Sequence, residues 1–404
     1  MRDLAYLKLL SREYPNIRAA ASDIINLQAI CGLPKGTEYF FSDLHGEHEA
    51  FIYLLRSSSG IIREKIRETF GHIISEEDEV RLANLIYYPE KMINQIKQAN
   101  EYTEDWQKTA VYRLVQICRK VSSKYTRSKV RKKMPKEFSG VIDELLYVDN
   151  TDDNKTEYYS ELINTLIDVR VADSFIVAIC SLIRSLTIDN LHILGDIFDR
   201  GPRPDIILEE LMHFHDVDIQ WGNHDISWMG AATGNRACIC NVLRMALGYN
   251  GFDVLEDGYG INLRPLSMFA ERVYRDDPCT CFLPQILDKN IYDAVDPKLA
   301  AKMHKAIAVL QYKEEGQIIK RHPEYGMEER ILLSAIRYDR GTVTIDGKEY
   351  PMRDMNFPTV DPADPLRLTD EEEELLHTLE LSFRHNARLH EHVRFLYSNG
   401  SMYK

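Results

Sequence analysis

The sequence lacks a long uncharged apolar run, and it lacks an excess of positive charge. Its most apolar stretch, residues 171–184, is bounded by Arg170 and Arg184, which predicts a buried helix because a membrane span needs about 20 apolar residues. The net charge of −13 argues against a general binder of nucleic acid or of a membrane surface. An anionic substrate stays open, since a bound metal can reverse the charge of a local site.

Cysteine is also scarce, with seven in 404 residues and no dense framework of pairs. This usage suits a reducing compartment, and we expect a cytoplasmic protein. Residues 1–15 carry charges among their apolar positions, which predicts an amphipathic helix and no signal peptide. The pairs Cys238/Cys240 and Cys279/Cys281 could in principle bind zinc, but CxC spacing is a weak signal and ordinary buried thiols are the favoured interpretation.

Three short apolar runs predict strands of one parallel sheet: Tyr39–Ser42, Asn190–Asp196 and Val217–Asn223. Each run ends in a polar cluster, and helical stretches separate the runs, as in βαβ units. The helical stretch between the first two runs is far longer than one crossover needs, so it predicts an inserted helical subdomain. The fold class is therefore α/β with a large helical insertion.

The insertion contains a basic run, Arg119–Lys136, which is favoured as a solvated helix face over a phosphate or nucleic-acid contact. Farther along, Asp346-Gly347 predicts a hairpin turn, and Thr369 with Glu372 predicts a helix capping box. We divide the chain into an N-terminal helical segment (1–36), a first βα unit of the core (37–60), a helical insertion (61–185), a core βαβ region (186–235), a helical region (236–340), and a hairpin, linker and terminal helix (341–404).

Three polar motifs lie at the C-terminal ends of the three predicted strands: DLHG at 43–46, GDIFDRG at 195–201 and GNHD at 222–225. Because the carboxyl ends of parallel strands lie along one edge of a sheet, these motifs should meet in space. Taken alone, each motif is modest, and the first is equally typical of a capped helix start. Taken together and in this order, they strongly predict a functional site.

The residue types in these motifs suit a two-metal centre. Asp43 and His45 offer a carboxylate and an imidazole to Mn²⁺, iron or Zn²⁺. Asp196 could bridge two metals through its two oxygens, and Asn223 would add a carbonyl oxygen to the second metal. Two metals about 3.5–4 Å apart would lower the pKa of a bridging water and hold a phosphate for in-line attack.

The remaining side chains suit phosphate chemistry. His224 is placed to protonate a leaving oxygen, and Asp199 could hydrogen-bond to it and raise its pKa. Arg200 could bind phosphoryl oxygens with two hydrogen bonds.

The three motifs are those of the calcineurin-like metallophosphoesterases. Over essentially the whole chain, longer phrases resemble the class III fructose-1,6-bisphosphatases of bacteria: LPKGTEYFFSDLHGEHEAF, LGDIFDRGPRPD, WGNHDISWMGAA, LEDGYGINLRPL, MHKAIAVLQYKEEGQ and FPTVDPADP. The resemblance implies a metallophosphoesterase-like sheet core that hydrolyses fructose 1,6-bisphosphate to fructose 6-phosphate and phosphate, a gluconeogenic step. It also implies a dinuclear centre, usually Mn²⁺ with other divalent transition metals open, and a metal-bridging hydroxide as nucleophile.

Carried over by motif position, the resemblance assigns the metal ligands to Asp43, His45, Asp196 and Asn223. It assigns the general acid to His224, the carboxylate that supports this histidine to Asp199, and phosphate binding to Arg200. A small-molecule sugar bisphosphate is the expected partner, with no nucleic acid and no membrane, and a homo-oligomer stays open.

The superfamily pattern has two further histidine motifs after GNHD, and this sequence shows neither. The later histidines are expected at helix surfaces or beside a proline: His304, His322, His377, His385, His390 and His392. Family members continue beyond the equivalent of Lys404, and residues 401–403 resemble the start of another strand. We therefore expect an N-terminal portion of a longer enzyme, with a core incomplete on its C-terminal side, weak metal binding and little or no activity.

Two alternatives stay open. The same chemistry occurs in protein Ser/Thr phosphatases and in dinucleoside polyphosphate hydrolases, although the long insertion and the flanking phrases argue against both. A non-catalytic metallophosphoesterase-like scaffold would explain the absent histidines, but it would not explain why the whole set of motif residues is present.

Overall fold

The computed structural model describes residues 2–147, 153–285 and 296–401, and most of them are helical. The helices are α1 (Arg2–Glu13), α2 (Ile17–Cys31), α3 (His48–Ser57), α4 (Ile61–Phe70), α5 (Glu76–Tyr87), α6 (Pro89–Gln98), α7 (Glu104–Ser122), α8 (Arg127–Lys133), α9 (Ser139–Tyr147), α10 (Asp153–Asp168), α11 (Ala172–Thr187), α12 (Pro204–His213), α13 (Asn223–Ala232), α14 (Arg236–Gly248), α15 (Arg264–Val273), α16 (Pro297–Arg321), α17 (Asp370–Arg384) and α18 (Ala387–Asn399). The strands are β1 (Glu38–Phe41), β2 (Asn190–Ile193), β3 (Val217–Gln220), β4 (Ile336–Arg337), β5 (Thr342–Ile345), β6 (Lys348–Pro351) and β7 (Gly400–Ser401).

The chain divides into two compact units. A helical unit comprises Met1–Tyr39 and Tyr53–Asn190, and a sheet unit comprises Phe40–Ile52 and Leu191–Lys404.

The helical unit is built around α7 and α11, which pack against each other. Val111, Leu114 and Val115 recur at helical spacing along α7 and are fully buried, as are Phe175 and Ile176 of α11. The prediction that residues 171–184 form a buried helix is confirmed. Among the residues that the structure describes, no helix is both long and apolar enough to cross a membrane.

The basic run of this unit is tied to carboxylates and carbonyls rather than simply solvated. Arg127 and Arg131 both donate to Asp143, with Arg127 Nη2 2.8 Å and Arg131 Nε 3.0 Å from its oxygens. Lys129 donates to Asp189 at 2.8 Å, and Lys133 donates to the Ser185 carbonyl at 2.7 Å. The run therefore fixes α8 against its surroundings, although the Arg127 and Arg131 side chains are themselves about half exposed.

Asp143 gives a test of this clamp. Hydrogen bonds from Arg131 and Arg127 lower its pKa to about 2 from an ordinary 3.8. Because the folded-state pKa is depressed, the ion pairs stabilise the protein above about pH 4, and this contribution is lost as the pH falls toward about 2. We expect Asp143→Asn to lower the free energy of unfolding by about 1 kcal/mol at pH 7, since the arginines are half exposed and screened. Urea unfolding should show this difference shrinking below pH 4, whereas Asp168→Asn, at an exposed helical carboxylate, should show none.

The sheet unit contains a four-stranded sheet in the order β1-β2-β3-β7. Strands β2 and β3 run parallel, with Leu191 opposite Val217, and β7 lies parallel to β3 with Ile219 opposite Gly400. The predicted parallel arrangement is confirmed for these strands. The strand expected near the C-terminus is present at Gly400–Ser401, and the rest of that expectation falls outside the described residues.

The three core strands are shorter at their C-terminal ends than the sequence predicted. Strand β2 ends at Ile193 because Gly195 and Asp196 have φ of +89° and +54°, which a strand does not accept. Strand β3 ends at Gln220 because Gly222 becomes the N-cap of α13. The residues of the first two motifs thus lie in loops just beyond the sheet, and the third motif forms the start of α13.

The C-terminal helices and the hairpin follow their local signals. Thr369 and Glu372 form the predicted capping box of α17. Glu372 also accepts a hydrogen bond at 2.6 Å from the fully buried Lys313 of α16, so the cap and a buried ion pair share one carboxylate. The predicted hairpin is confirmed in β5–β6, with Asp346 and Gly347 at φ of +49° and +72°.

The structure bears on the predictions made for the four paired cysteines, His385 and His392. The four paired cysteines belong to no cluster of three or more metal-ligating groups in the described residues, so the zinc alternative is not supported.

His385 lies in the turn between α17 and α18, because α17 ends at Arg384. The expectation of a surface position is wrong for His392, which is buried and pairs with the Tyr259 hydroxyl at 2.9 Å. It shares the apolar face of α18 with Leu389 and Leu396.

Candidate metal centre and acid–base site

Backbone hydrogen bonds bring the first and second motifs together just beyond the sheet. His45 N donates to the Asp196 carbonyl at 2.8 Å, and Gly46 N donates to the Ile197 carbonyl at 2.9 Å. The backbone segments that follow β1 and β2 therefore stay hydrogen-bonded beyond the ends of the two strands. The motifs therefore meet as the parallel-sheet argument predicted.

Asp43, His45 and Asp196 form a candidate metal-binding cluster. Their ligand atoms all lie within 4.8 Å of one another, with Asp43 exposed and the other two half-buried. His45 Nε2 is 3.9 Å from Asp43 Oδ1. The other ring nitrogen, Nδ1, is 3.2 Å from the Phe198 carbonyl, and such a bond directs Nε2 toward a metal. Carboxylate oxygens with an imidazole nitrogen suit a divalent transition metal.

The backbone at the site adopts left-handed conformations that are costly for residues with a Cβ. Asp43, His45, Asp196, Asp199 and Arg200 have φ of +53°, +44°, +54°, +66° and +72°. Each such residue costs on the order of 1 kcal/mol and persists only where the surrounding structure enforces it. This concentration of strain in the motif residues supports a functional role for the two loops.

Asp199 holds His224 through a buried hydrogen bond. His224 Nδ1 is 2.7 Å from Asp199 Oδ2, as the sequence predicted, and Trp228 Nε1 donates to Asp199 Oδ1 at 2.9 Å. The hydrogen bond that His224 donates to Asp199 raises the pKa of His224, against the opposing effects of burial and of the Arg200 charge. The His224 ring lies edge-on to His45, with centroids 5.4 Å apart, so the His224–Asp199 pair adjoins the candidate metal-binding cluster. Arg200 itself is exposed.

Asn223 is the first residue of α13 and is exposed. Both of its neighbours contact Asp196: His224 N is 3.4 Å from Asp196 Oδ1, and a Cβ placed on Gly222 would lie 2.0 Å from the same oxygen. Glycine is therefore required at position 222. The third motif thus adjoins the metal cluster through Asp196.

Asp225 has a role that the sequence analysis missed. Its buried carboxylate accepts backbone N–H groups of Asp196 and Ile197 at 2.9 Å, of Phe198 at 3.3 Å and of Gly222 at 2.9 Å. It thereby ties the second motif loop to the start of α13. Burial raises its pKa, although these hydrogen bonds act in the opposite direction. Its place three residues after the N-cap is the capping-box signal that could have revealed it.

Trp228 is the other residue that was missed. It is fully buried, and its indole stacks on Phe198 with ring centroids 4.6 Å apart. Since its N–H also binds Asp199, one side chain fixes both the second motif loop and the carboxylate that orients His224. No local sequence pattern indicates this role. Trp228 lies inside α13, and its partners Asp199 and Phe198 are about 30 residues earlier in the sequence.

Together, the fold and the site define an α/β protein with a candidate carboxylate–histidine metal-binding cluster beside a His–Asp pair. A model of the Firmicute fructose-1,6-bisphosphatase family matches residues 5–404. The chain therefore belongs to this family, which confirms the resemblance drawn from the motifs and their flanking phrases.

Individual relatives agree with the family match. The chain is 52% identical over 402 residues to the class 3 fructose-1,6-bisphosphatase of Clostridium novyi, a match that covers 100% of this chain and 60% of that protein. It is 53% identical over 401 residues to that of Clostridium tetani and 52% identical over 402 residues to that of Bacteroides fragilis, each covering 99% of this chain and 60% of the relative. The chain spans about 60% of the length of these curated relatives. No solved structure matches it.

Proposed function

We propose that this chain belongs to a phosphoric monoester hydrolase that uses Mn²⁺ to convert fructose 1,6-bisphosphate to fructose 6-phosphate and phosphate. The single observation that carries the chemistry is the approach of the His224–Asp199 pair to the cluster of Asp43, His45 and Asp196. The relatives named as fructose-1,6-bisphosphatases, at about half identity, support the choice of sugar substrate.

The donor set fits a divalent transition metal. Asp43, His45 and Asp196 would hold the first metal, and Asp196 with Asn223 would contribute to a second. When bound, the metals would supply positive charge for a phosphate and an activated water. Mn²⁺ is proposed because of the family resemblance, and other divalent transition metals would suit the same donors.

The chain's own residues would then position the phosphate and move a proton. Arg200 would bind phosphoryl oxygens, since its exposed guanidinium lies near enough to His224 to act on its pKa. Asp199 accepts a hydrogen bond from His224 Nδ1–H, which leaves Nε2 as the nitrogen that can protonate the departing sugar oxygen. The raised pKa of His224 favours the protonated form that this step needs.

We further propose that the sheet is a metallophosphoesterase core, that residues 61–185 are an insertion into it, and that the enzyme works in the cytoplasm. The parallel order of β2, β3 and β7 and the loops that carry the motifs support the core assignment. The separate buried cluster of the helical unit, which begins at Ile62, supports the insertion. The scarcity of cysteine supports the compartment.

A substrate panel tests the proposed reaction. With Mn²⁺ present, we expect phosphate release from fructose 1,6-bisphosphate to exceed release from a phosphopeptide or cleavage of a dinucleoside polyphosphate. We expect turnover to be low, because the described residues form one three-ligand cluster and only Asp196 and Asn223 are assigned to a second metal. A faster reaction with the phosphopeptide or the dinucleoside polyphosphate would contradict the substrate assignment. Absence of any bound transition metal, even at excess Mn²⁺, would favour the scaffold alternative.

His224 gives a sharper test of the mechanism. Removing a general acid typically costs about 10²–10⁴-fold in rate, so His224→Gln should lower phosphate release by at least about 100-fold. The matched control is His213→Gln, at an exposed histidine at the end of α12, which should leave the rate unchanged. Equal rates for the two variants would remove His224 from the reaction.

A further inference from the structure

The helical unit contains a cavity of about 340 Å³ that does not belong to the candidate metal centre. Lys65 of α4, Lys120 of α7 and Lys124 line it, together with one carboxylate, Glu68. Its apolar wall includes the buried side chains of Val121 and Leu186. A cavity with three ammonium groups and one carboxylate is unusual in a chain of net charge −13.

Two of the lysines share Glu68. Lys65 Nζ is 2.8 Å from Glu68 Oε1, and Lys120 Nζ is 3.2 Å from Glu68 Oε2. These hydrogen bonds, with that of Lys65 the stronger influence, lower the pKa of Glu68, so the carboxylate carries a full charge at neutral pH. One negative charge therefore faces two positive charges. Glu68 holds the two ammonium groups at the cavity without neutralising both.

The third lysine is held from the other side. Lys124 Nζ donates to Thr37 Oγ1 at 2.8 Å and lies 3.6 Å from Asp189, whose carboxylate already accepts a hydrogen bond from Lys129 at 2.8 Å. Burial lowers the pKa of Lys124, and the positive charges of Lys129 and Lys65 lower it further, against the influence of Asp189. An anion in the cavity would relieve this repulsion and stabilise the charged form.

We propose that this cavity is a binding site for a small phosphorylated metabolite, whose phosphate is held by Lys65, Lys120 and Lys124. Lysine binds phosphate as a point charge, and a low-dielectric wall beside clustered charges of one sign concentrates the attraction. The volume lies at the small end of ligand pockets, which suits a phosphate monoester of a few carbons better than a nucleotide. The basic run that begins at Arg119 thus contributes Lys120 and Lys124 to a phosphate site. The contacts that other residues of the run make with Asp143 and with the Ser185 carbonyl hold α8 in place.

Calorimetric titration of the metal-free chain with inorganic phosphate and with glycerol phosphate tests the proposal. Potassium chloride at matched ionic strength provides the blank. The Lys65→Gln/Lys120→Gln double variant should bind either ligand at least tenfold more weakly. Lys132→Gln, at an exposed lysine of the same basic run that does not line the cavity, should bind like the wild type. Arg200→Gln should also retain this binding, because Arg200 belongs to the other unit.

Hydrogen exchange of the wild-type chain tests the location without a variant. Glycerol phosphate should protect amides of α4 and of residues 117–124 from exchange. Loss of all phosphate binding in Arg200→Gln, unchanged binding in the double lysine variant, or protection confined to residues 195–225 would each overturn the proposal. None of these outcomes depends on hydrolysis, so a failure here is separate from a failure of the proposed function.

Discussion

Replacing Asp196 by asparagine is expected to weaken Mn²⁺ binding by at least about 100-fold. Substitution of groups that only support metal ligands already costs about 10–100-fold in affinity, and Asp196 is itself placed to be a ligand. The substitution is nearly isosteric and keeps the Asp196 backbone N–H that binds Asp225, so the loop should stay folded. The loss of Mn²⁺ affinity should therefore result from the missing carboxylate charge.

Calorimetric titration with Mn²⁺ and metal analysis after gel filtration would measure this effect. The matched control is Asp216→Asn, at an exposed carboxylate just before β3 that belongs to no ligand cluster among the described residues. Its affinity should equal that of the wild type. A metal affinity that Asp196→Asn leaves within threefold of wild type would show that the metal, if bound, lies elsewhere.

Asp225→Ala is expected to lower the free energy of unfolding by about 3–5 kcal/mol, because it leaves buried backbone donors without an acceptor. The Asp225 carboxylate is fully buried and accepts four backbone N–H groups, and alanine would leave all four without this acceptor. Each buried donor left unsatisfied costs about 1–3 kcal/mol, reduced where the loop can relax toward water. The same substitution should also loosen the second motif loop and weaken Mn²⁺ binding.

Urea unfolding measures the stability term. Asp225→Asn retains one carbonyl oxygen as an acceptor and should lose about half as much as the alanine variant. Asp216→Ala should change stability by less than about 0.5 kcal/mol, as expected for an exposed substitution. A loss below 1 kcal/mol in Asp225→Ala would mean that the loop does not depend on this carboxylate.

The sequence predicted the parallel strands because each is a short apolar run with a polar end. The meeting of Asp43, His45 and Asp196 followed from the geometry of parallel sheets alone. The Asp199–His224 hydrogen bond was also predicted, since the two motifs should lie side by side and their side chains are complementary. The family assignment followed from phrases that flank the motifs, which carry more information than the motifs themselves.

The strand ends and the roles of Asp225 and His392 were missed because they depend on backbone conformations or distant partners that a local sequence pattern does not report. Left-handed residues such as Asp196 end a strand early, but an aspartate signals that conformation far less clearly than a glycine does. Asp225 was quoted as part of a motif, but three of its four partners lie 27 to 29 residues earlier in the sequence. His392 pairs with Tyr259, 133 residues away, and a residue pattern along one helix does not report such a partner.

The basic run shows how far composition can mislead. A stretch rich in lysine and arginine is typical of a solvated helix face or of a contact with nucleic acid. Here two buried carboxylates, Asp143 and Asp189, bind four of its charges, and neither carboxylate is adjacent to the run in sequence. Local composition identified the charge, whereas the fold determined what the charge does.

The most direct test of the metal centre is a crystal of this chain soaked in Mn²⁺, with diffraction measured above and below the manganese absorption edge. We expect an anomalous difference peak within about 2.0–2.3 Å of a carboxylate oxygen of Asp43, Nε2 of His45 and a carboxylate oxygen of Asp196. A second, weaker peak beside Asp196 and Asn223 would extend it to two metals. A manganese peak bound by other side chains, with none at this cluster, would contradict it.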